Sequence, residues 1–424
     1  MKKKVITLII VAIVSEIVAL SAVFVILSIF NNKNNMVNAA VSDIDTDKNV
    51  PAYASIYGDK LPYYLNSREN EVNINYNSIE ADIVIEADKV LVKETLYLMH
   101  SDGHNQSGNK QDVIFLYIPS LNTSTTNIKK IMQGEKTPDF KVENLMLKIE
   151  LPNIGTDNNS MIESNSSVNK TNNSVTEKNN STDLLTIEIE YEILLNKSSG
   201  TISRTNSHTY LTNFLITPAV FRDNEPIVAT KSSFGDPYIY NASNYTIRFL
   251  VDNDVDIYAP GAKEESSVNE GKKYIRFEAK MVRDFPAVIL KNNPSQGYTH
   301  VVEVEKVKDT EIYFINSNKT RNFVKEAFTF AYENIGPYPY EKLFIVEGID
   351  MDLRGMEFSN MIFISKSCLT NANILKRVTY HEVFHQWFYG IIGTDQITEP
   401  FFDEGLVSYL AMYLVGDKIG NNYN

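Results

Sequence analysis

The residues His381-Glu382-Val383-Phe384-His385 place two histidines four positions apart. On a helix, positions i and i+4 share a face, so both imidazoles can reach one ion, and Glu382 stands beside them near a water on that ion. Nineteen residues beyond His385 comes Glu404, in Phe-Phe-Asp-Glu-Gly. A carboxylate there would complete a set of two His and one Glu and leave the fourth tetrahedral position open for water. Imidazole plus carboxylate with an open position suits one zinc ion acting as a Lewis acid near neutral pH. The aromatic run Trp387-Phe388-Tyr389 directly after the motif implies a buried helix, not a solvent-facing one with a chance pattern. Asp403, beside the third donor, could orient an imidazole from behind or be a first-turn acid favoured by the helix dipole, and the residues leave both open.

These donors need helices to carry them. Asn371 to Phe388 reads as a helix with Asn as its N-cap, and Pro400 to Val415 as another that starts on proline and ends near Gly416. Phe323, Ala327, Ala331 and Ile335 fall at four-residue spacing before the stop at Gly336-Pro337, which predicts a further helix. Lys342–Glu347 and Met361–Ser365 read as short strands, so the segment 309–424 is α/β in character. Upstream the period changes to two. Leu185, Ile187, Ile189, Tyr191 and Ile193 alternate with Thr186, Glu188, Glu190 and Glu192. Similar runs at Ile83–Leu98, Val113–Ile118, Leu145–Leu151, Tyr245–Leu250 and Tyr274–Lys280 predict a large, mostly antiparallel β domain over 75–308. Within it, 155–182 is dominated by Asn, Ser and Thr and buries too little apolar area to order itself, so a disordered surface loop is expected.

Lysines at 2–4 precede an apolar run from Val5 to Phe30, interrupted only by Glu16. As a helix this run is roughly 39 Å long, enough to cross a ~30 Å hydrocarbon core. It exceeds the core of a cleaved signal peptide, so residues 1–31 are read as a retained single-pass anchor, followed by a polar stalk over 32–74. The lysines place the bulk of the chain outside the cell, at the cell membrane. With 43% apolar and 22% charged residues among 424, the chain has a globular composition. Its net charge of −13 and pI near 5.1 argue against a nucleic-acid partner. The single cysteine, Cys368, excludes an internal disulfide framework and reads as a small buried residue. His100, His104, His208 and His300 show no ligand spacing; the first two flank Ser-Asp-Gly in a polar loop.

The stretch His381–Gly390, the spacing to Glu404, and Gly355-Met356-Glu357 resemble the aminopeptidase N family of gluzincin metallopeptidases. The gap from Glu357 to His381, the turn Ile335-Gly336-Pro337-Tyr338-Pro339-Tyr340, and the upstream Asp236-Pro237-Tyr238 and Val282-Arg283-Asp284-Phe285 are similar to landmarks of that family. The resemblance implies an α+β multidomain fold, with a β domain packed against a thermolysin-like α/β catalytic domain and a cleft near their junction. It implies that His381, His385 and Glu404 hold zinc and that Glu382 takes a proton from the activated water and passes it to the leaving amine. It also implies that Glu357 binds the free α-ammonium of a peptide, while backbone groups at Gly355 and Met356 flank the peptide as an edge strand. The implied activity is hydrolysis of the first peptide bond of peptides with a free N-terminus. The family's Asn after Met-Glu is Phe358 here. Family members also continue well past the third donor and supply a tyrosine to the tetrahedral intermediate, which Tyr409 and Tyr413 do not match. A chain that is part of a longer enzyme is therefore expected, its rivals being a gluzincin endopeptidase or a zinc-binding surface protein without transition-state machinery. Oligomeric state and the preferred N-terminal residue leave no mark in the sequence.

Overall fold

A computed structural model describes residues 77–416 apart from 100–112, 120–124, 152–183, 196–200, 223–224, 229–237, 269–270, 293 and 298. The expected anchor, stalk and Asn/Ser-rich loop lie outside the described residues, as do His100 and His104. Among the described residues no helix is long and apolar enough to cross a membrane.

The period-two runs become strands. Lys89–Met99 turns Val90, Val92, Glu94, Leu96 and Leu98 inward and pairs antiparallel with Ser78–Ile85 and with Leu184–Leu194. These three are central in a seven-stranded sheet ordered 262–268, 272–282, 243–252, 78–85, 89–99, 184–194, 126–132. Ser78–Ile85 runs parallel to Ser243–Asp252, and the other pairs are antiparallel. A four-stranded sheet, ordered 255–258, 287–291, 208–211, 203–204, continues the same core.

A separate five-stranded sheet positions the site. Its order is 302–307, 310–315, 342–349, 361–365, 355–358, with Gly355–Phe358 as one edge. Val302–Val307 fell within 75–308 on the sequence reading; it pairs antiparallel with Thr310–Ile315 and is part of this sheet. Its alternation resembles that of the upstream strands, and periodicity does not say which sheet a strand joins. One face of the sheet packs on helices α1 (Arg321–Asn334), α2 (Ala372–Phe384) and α3 (Leu406–Val415). The other face, with Phe344, Val346, Phe358 and Phe363, packs on Tyr210, Val288 and Leu290 of the four-stranded sheet. Asn371 caps α2 by accepting from the backbone of Asn373 and Ile374, and Gly416 ends α3 in the left-handed conformation (φ 82°).

The helix expected through Phe388 stops at Phe384. The chain continues in a wide turn, Gln386–Ile391, with non-helical backbone at Phe388 and Tyr389. Hydrogen bonds Gly390 N–H to His385 O (2.9 Å) and Ile392 N–H to Trp387 O (2.8 Å) span five residues instead of four. Arg283, 2% exposed, accounts for this departure. Its guanidinium donates to the carbonyls of Tyr389 and Ile391, and also to Tyr240 O at 2.9 Å, so the turn bonds outward to a side chain from the β domain. Gly393 is required beside it, because a Cβ there would overlap the guanidinium. The neighbouring Asp284 accepts from Ser359 N–H (2.7 Å), and Ser359 Oγ accepts from the backbone of Arg283 and Asp284. Val282-Arg283-Asp284-Phe285 is thus a lock between the β strands, the Gly355–Phe358 edge and the turn after α2.

Arg283→Ala would leave three buried carbonyls without this donor, at about 1–3 kcal/mol each. A loss of stability of about 3 kcal/mol or more is expected in urea unfolding. Gly393→Ala is expected to destabilise in the same direction by displacing the guanidinium, and a midpoint equal to wild type for both would contradict the lock.

Candidate active site

Helix α2 delivers the two histidines and the turn leading into α3 delivers Glu404. His381 Nε2 lies 3.1 Å from His385 Nε2 and 3.1 Å from Glu404 Oε2, and His385 Nε2 lies 3.9 Å from Glu404 Oε2. The back of each ring is held. His385 Nδ1 donates to Asp403 Oδ1 at 2.9 Å and lies 3.2 Å from Phe388 O, and Asp403 Oδ2 in turn accepts from Gln396 Nε2. His381 Nδ1 lies 3.3 Å from Ser408 Oγ, one turn beyond Glu404. With Nδ1 protonated on both rings, both Nε2 lone pairs face the same point as the Glu404 carboxylate. Of the two roles left open for Asp403, the structure places it behind the imidazole.

The expected companions converge on this point. Glu382 is buried on α2 against the Gly355 backbone, where any Cβ would overlap its carboxylate. Gly355 therefore has to be glycine for Glu382 to sit where it does. Glu357, 4% exposed, comes from the same edge strand, and its Oε1 lies 4.0 Å from His385 Nδ1. Asn213, Tyr238, Met356, Glu357, Tyr389 and Gln396 border one narrow recess. Gln386 ties edge strand to helix: its Nε2 donates to Phe358 O (3.1 Å), its Oε1 accepts from Tyr338 OH (2.9 Å), and Asn360 Nδ2 donates to that hydroxyl (2.8 Å). Trp387 Nε1 donates to Gly336 O (2.8 Å), so the aromatic-proline turn holds the wide turn that follows α2. Phe358 itself is buried and packs edge-on against Phe363.

Other sequence candidates stay apart from these donors. Cys368 is buried, and burial raises its thiol pKa. His208 bonds to Thr205 and Ser207, and His300 to Ser207 O and Asn316. Tyr409 stacks on Tyr413, which packs on Phe330 and is largely exposed. The sequence reading missed Asn213, Gln386, Tyr389 and Gln396. Tyr389 was visible as part of the aromatic run, whereas Asn213 and Gln396 come from segments that no local period links to the motif.

Donors about 2.0–2.2 Å from a tetrahedral zinc ion stand roughly 3.3–3.6 Å from one another; two of the observed spacings, 3.1 Å each, fall a little below that range and the third, 3.9 Å, a little above it. The donor set of two neutral imidazole nitrogens and a carboxylate is also what zinc takes. Burial works against charge on His385, but Asp403, Glu382 and Glu404 outweigh it and push the imidazole up to about 10. Burial holds His381 below the usual imidazole range despite Glu404. Burial opposes charge on Glu404 too, yet the two imidazoles outweigh it and keep the carboxyl below its ordinary range. At neutral pH the ion-free site thus carries a proton on His385 that metal must displace. Zinc uptake at pH 7 is expected to release about one proton and to weaken as pH falls, read by calorimetry in buffers of different ionisation enthalpy. Asp403→Asn is expected to weaken zinc binding about 10–100-fold in a chelator competition. Unchanged affinity would remove Asp403 from this role.

Residues 319–424 match the family model described as "Peptidase family M1 domain". A search among curated protein sequences finds no match to the chain. Among solved structures, an aminopeptidase A from Legionella pneumophila, in complex with aspartic acid, is similar with a TM-score of 0.56 at 12% identity. That likeness covers 81% of this chain and 38% of the Legionella chain. An M1 zinc metallopeptidase from Deinococcus radiodurans, in a single-substitution variant, gives a TM-score of 0.51 at 12% identity, covering 82% of this chain and 72% of that one. Identities this low speak to the fold. The M1 zinc metallopeptidases carry a single catalytic zinc ion, which the donors of this site fit. The stretch from residue 319 to residue 424 matches the peptidase family M1 domain in sequence, and the described fold is similar to that of solved M1 zinc metallopeptidases.

Proposed function

We propose that the protein is a zinc aminopeptidase hydrolysing the first peptide bond of peptides with a free N-terminus. The observation that carries this reading is the burial of Glu357 on the edge strand, two residues from the Gly355 that seats Glu382 and 4.0 Å from Nδ1 at the rear of the His385 ring. An α-amine and the carbonyl of the same residue are only two bonds apart. A carboxylate that holds the amine so close to the metal donors therefore leaves room for one residue between anchor and reacting carbonyl.

His381, His385 and Glu404 would hold the zinc, which supplies Lewis acidity and lowers the pKa of a bound water toward neutrality. Glu382 takes the proton from the attacking water as its oxygen bonds to the carbonyl carbon. It then gives that proton to the amide nitrogen as the C–N bond breaks, releasing the first residue and a shortened peptide. The strand Gly355–Phe358, which ends the five-stranded sheet, offers its outer edge to the peptide main chain as an added strand. Asp403, Gln396 and Ser408 hold the rings still while the proton moves. The lysines and apolar run of residues 1–31 support a membrane-anchored enzyme with its cleft outside the cell, which protease accessibility on intact cells would test.

Two matched peptides, one free and one N-acetylated, test the reading with the zinc-loaded chain, and Glu382→Gln serves as the blank. Cleavage of the free peptide alone is the expected result. Cleavage of both would make the protein an endopeptidase, and cleavage of neither by a folded, zinc-bound chain would leave a zinc-binding surface protein. Glu357→Gln is expected to lower kcat/KM for the free peptide by about 10²-fold, the cost of removing one partner of a buried charge pair. It should leave zinc affinity within a few-fold of wild type.

A further inference from the structure

Glu94 stands in the inward row of its strand among Val90, Val92, Leu96 and Leu98, and is fully buried. Its cross-strand partners are Ala81 and Ile189, and the titratable side chains facing it are Tyr191 and Tyr245. Glu94 Oε2 lies 2.5 Å from Tyr191 OH and 3.1 Å from Ile216 N–H. Tyr191 OH also lies 3.2 Å from Phe214 O and 3.2 Å from Ile216 N–H. Glu94 Oε1 has no hydrogen-bond partner among the described residues. Phe214 and Ile216 belong to the Thr212–Ile216 loop, and its Asn213, in the left-handed conformation (φ 48°), borders the recess with Glu357.

Tyr191 has one hydroxyl proton and two acceptors within reach, Glu94 and Phe214 O. Which one receives it depends on Glu94. As a neutral acid Glu94 donates to Tyr191, freeing the tyrosine proton for Phe214 O; as a carboxylate it takes that proton itself and Phe214 O is left without the bond. We propose that Glu94 is a positioning residue for the amine-binding end of the cleft: protonated, it relays a hydrogen bond through Tyr191 to Phe214 O in the loop carrying Asn213, and ionised, it withdraws that bond and keeps only Ile216 N–H.

The recess as an amine site rests on the proposed aminopeptidase reading; the relay itself does not. Burial pushes Glu94 up to about 8, against 4.5 for an ordinary glutamate. Between those pH values the unfolded chain has lost a proton that the folded chain keeps, so this group lowers stability as pH rises from about 4.5 to about 8. The bond to Phe214 O is present below about pH 8 and lost above it, while Ile216 N–H stays on Glu94.

The test compares the full zinc-loaded chain with Glu94→Gln, whose amide keeps a donor facing Tyr191 at every pH. Hydrogen exchange of peptides covering 212–218, normalised to intrinsic rates and to the flanking strands, is measured at pH 7 and pH 9. The expected result is lost protection at pH 9 in wild type and retained protection in Glu94→Gln, with the stability slope between pH 4.5 and 8 reduced in the variant. For a free-amine peptide, wild-type KM should rise from pH 7 to 9 about fivefold more than that of the variant, the equilibrium effect of one hydrogen bond, while kcat moves alike in both. The substrate's own amine titrates equally in the two proteins and cancels. Exchange that is identical in wild type and variant at pH 9 overturns the relay. Altered exchange with superimposable KM profiles overturns its link to the cleft. If the chain cleaves no peptide, the aminopeptidase reading fails and the exchange comparison still decides the relay.

Discussion

Three electron-rich atoms, two imidazole nitrogens and a carboxylate oxygen, are held with their lone pairs facing one another. Without a shared positive charge, the proton on His385 or a metal ion in its place, nothing in that arrangement is attractive, so the approach must be imposed from behind. Asp403 and Ser408 hold the far sides of the rings, and Gln396 holds Asp403. Behind these stands the turn after α2, bonded to Arg283, and behind Arg283 stands the β domain. Each layer braces the one in front of it, as preorganisation of a repulsive donor set requires.

The edge strand shows a second economy of construction. One short segment, Gly355–Phe358, supplies Glu357, the space for Glu382, the outer edge of the sheet, and the carbonyl that Gln386 holds. Ser359, the next residue, is the point at which Asp284 fastens the strand to the β domain. Position along the strand and position in the cleft are therefore one and the same variable.

How much of this could be read in advance follows from what makes a pattern local. The histidines share a helical face because of the 3.6-residue period, so spacing alone exposed them. Glu404 and Glu357 lie on neighbouring elements whose signals were short but distinctive. Asn213 and Arg283 reach the site from segments far away in sequence, where only the packing of separate sheets brings them together, and Gln396 comes from the irregular turn between His385 and Glu404, which has no period to read. The end of α2 was misplaced because the turn is set by a guanidinium about a hundred residues upstream, a fact no propensity carries. Glu94 had a signal that went unused: a charged residue in the apolar phase of a period-two run, with Tyr191 in the apolar phase of the strand beside it. The sheet that Val302–Val307 joins was hidden for the opposite reason, since its pattern was plain but did not name its partner.

The five-stranded sheet has a consequence for heredity and handling alike. The region recognisable by family comparison begins at residue 319, yet the sheet under it begins with the hairpin Val302–Ile315. Its second face is covered by Tyr210, Val288 and Leu290, which belong to the β domain. A gene fragment cut at the recognisable boundary would express a polypeptide with an open strand edge and a bare aromatic surface, the combination that drives chains to aggregate. The module that sequence comparison can track is thus smaller than the module that can fold, and recombination that respects the first would break the second.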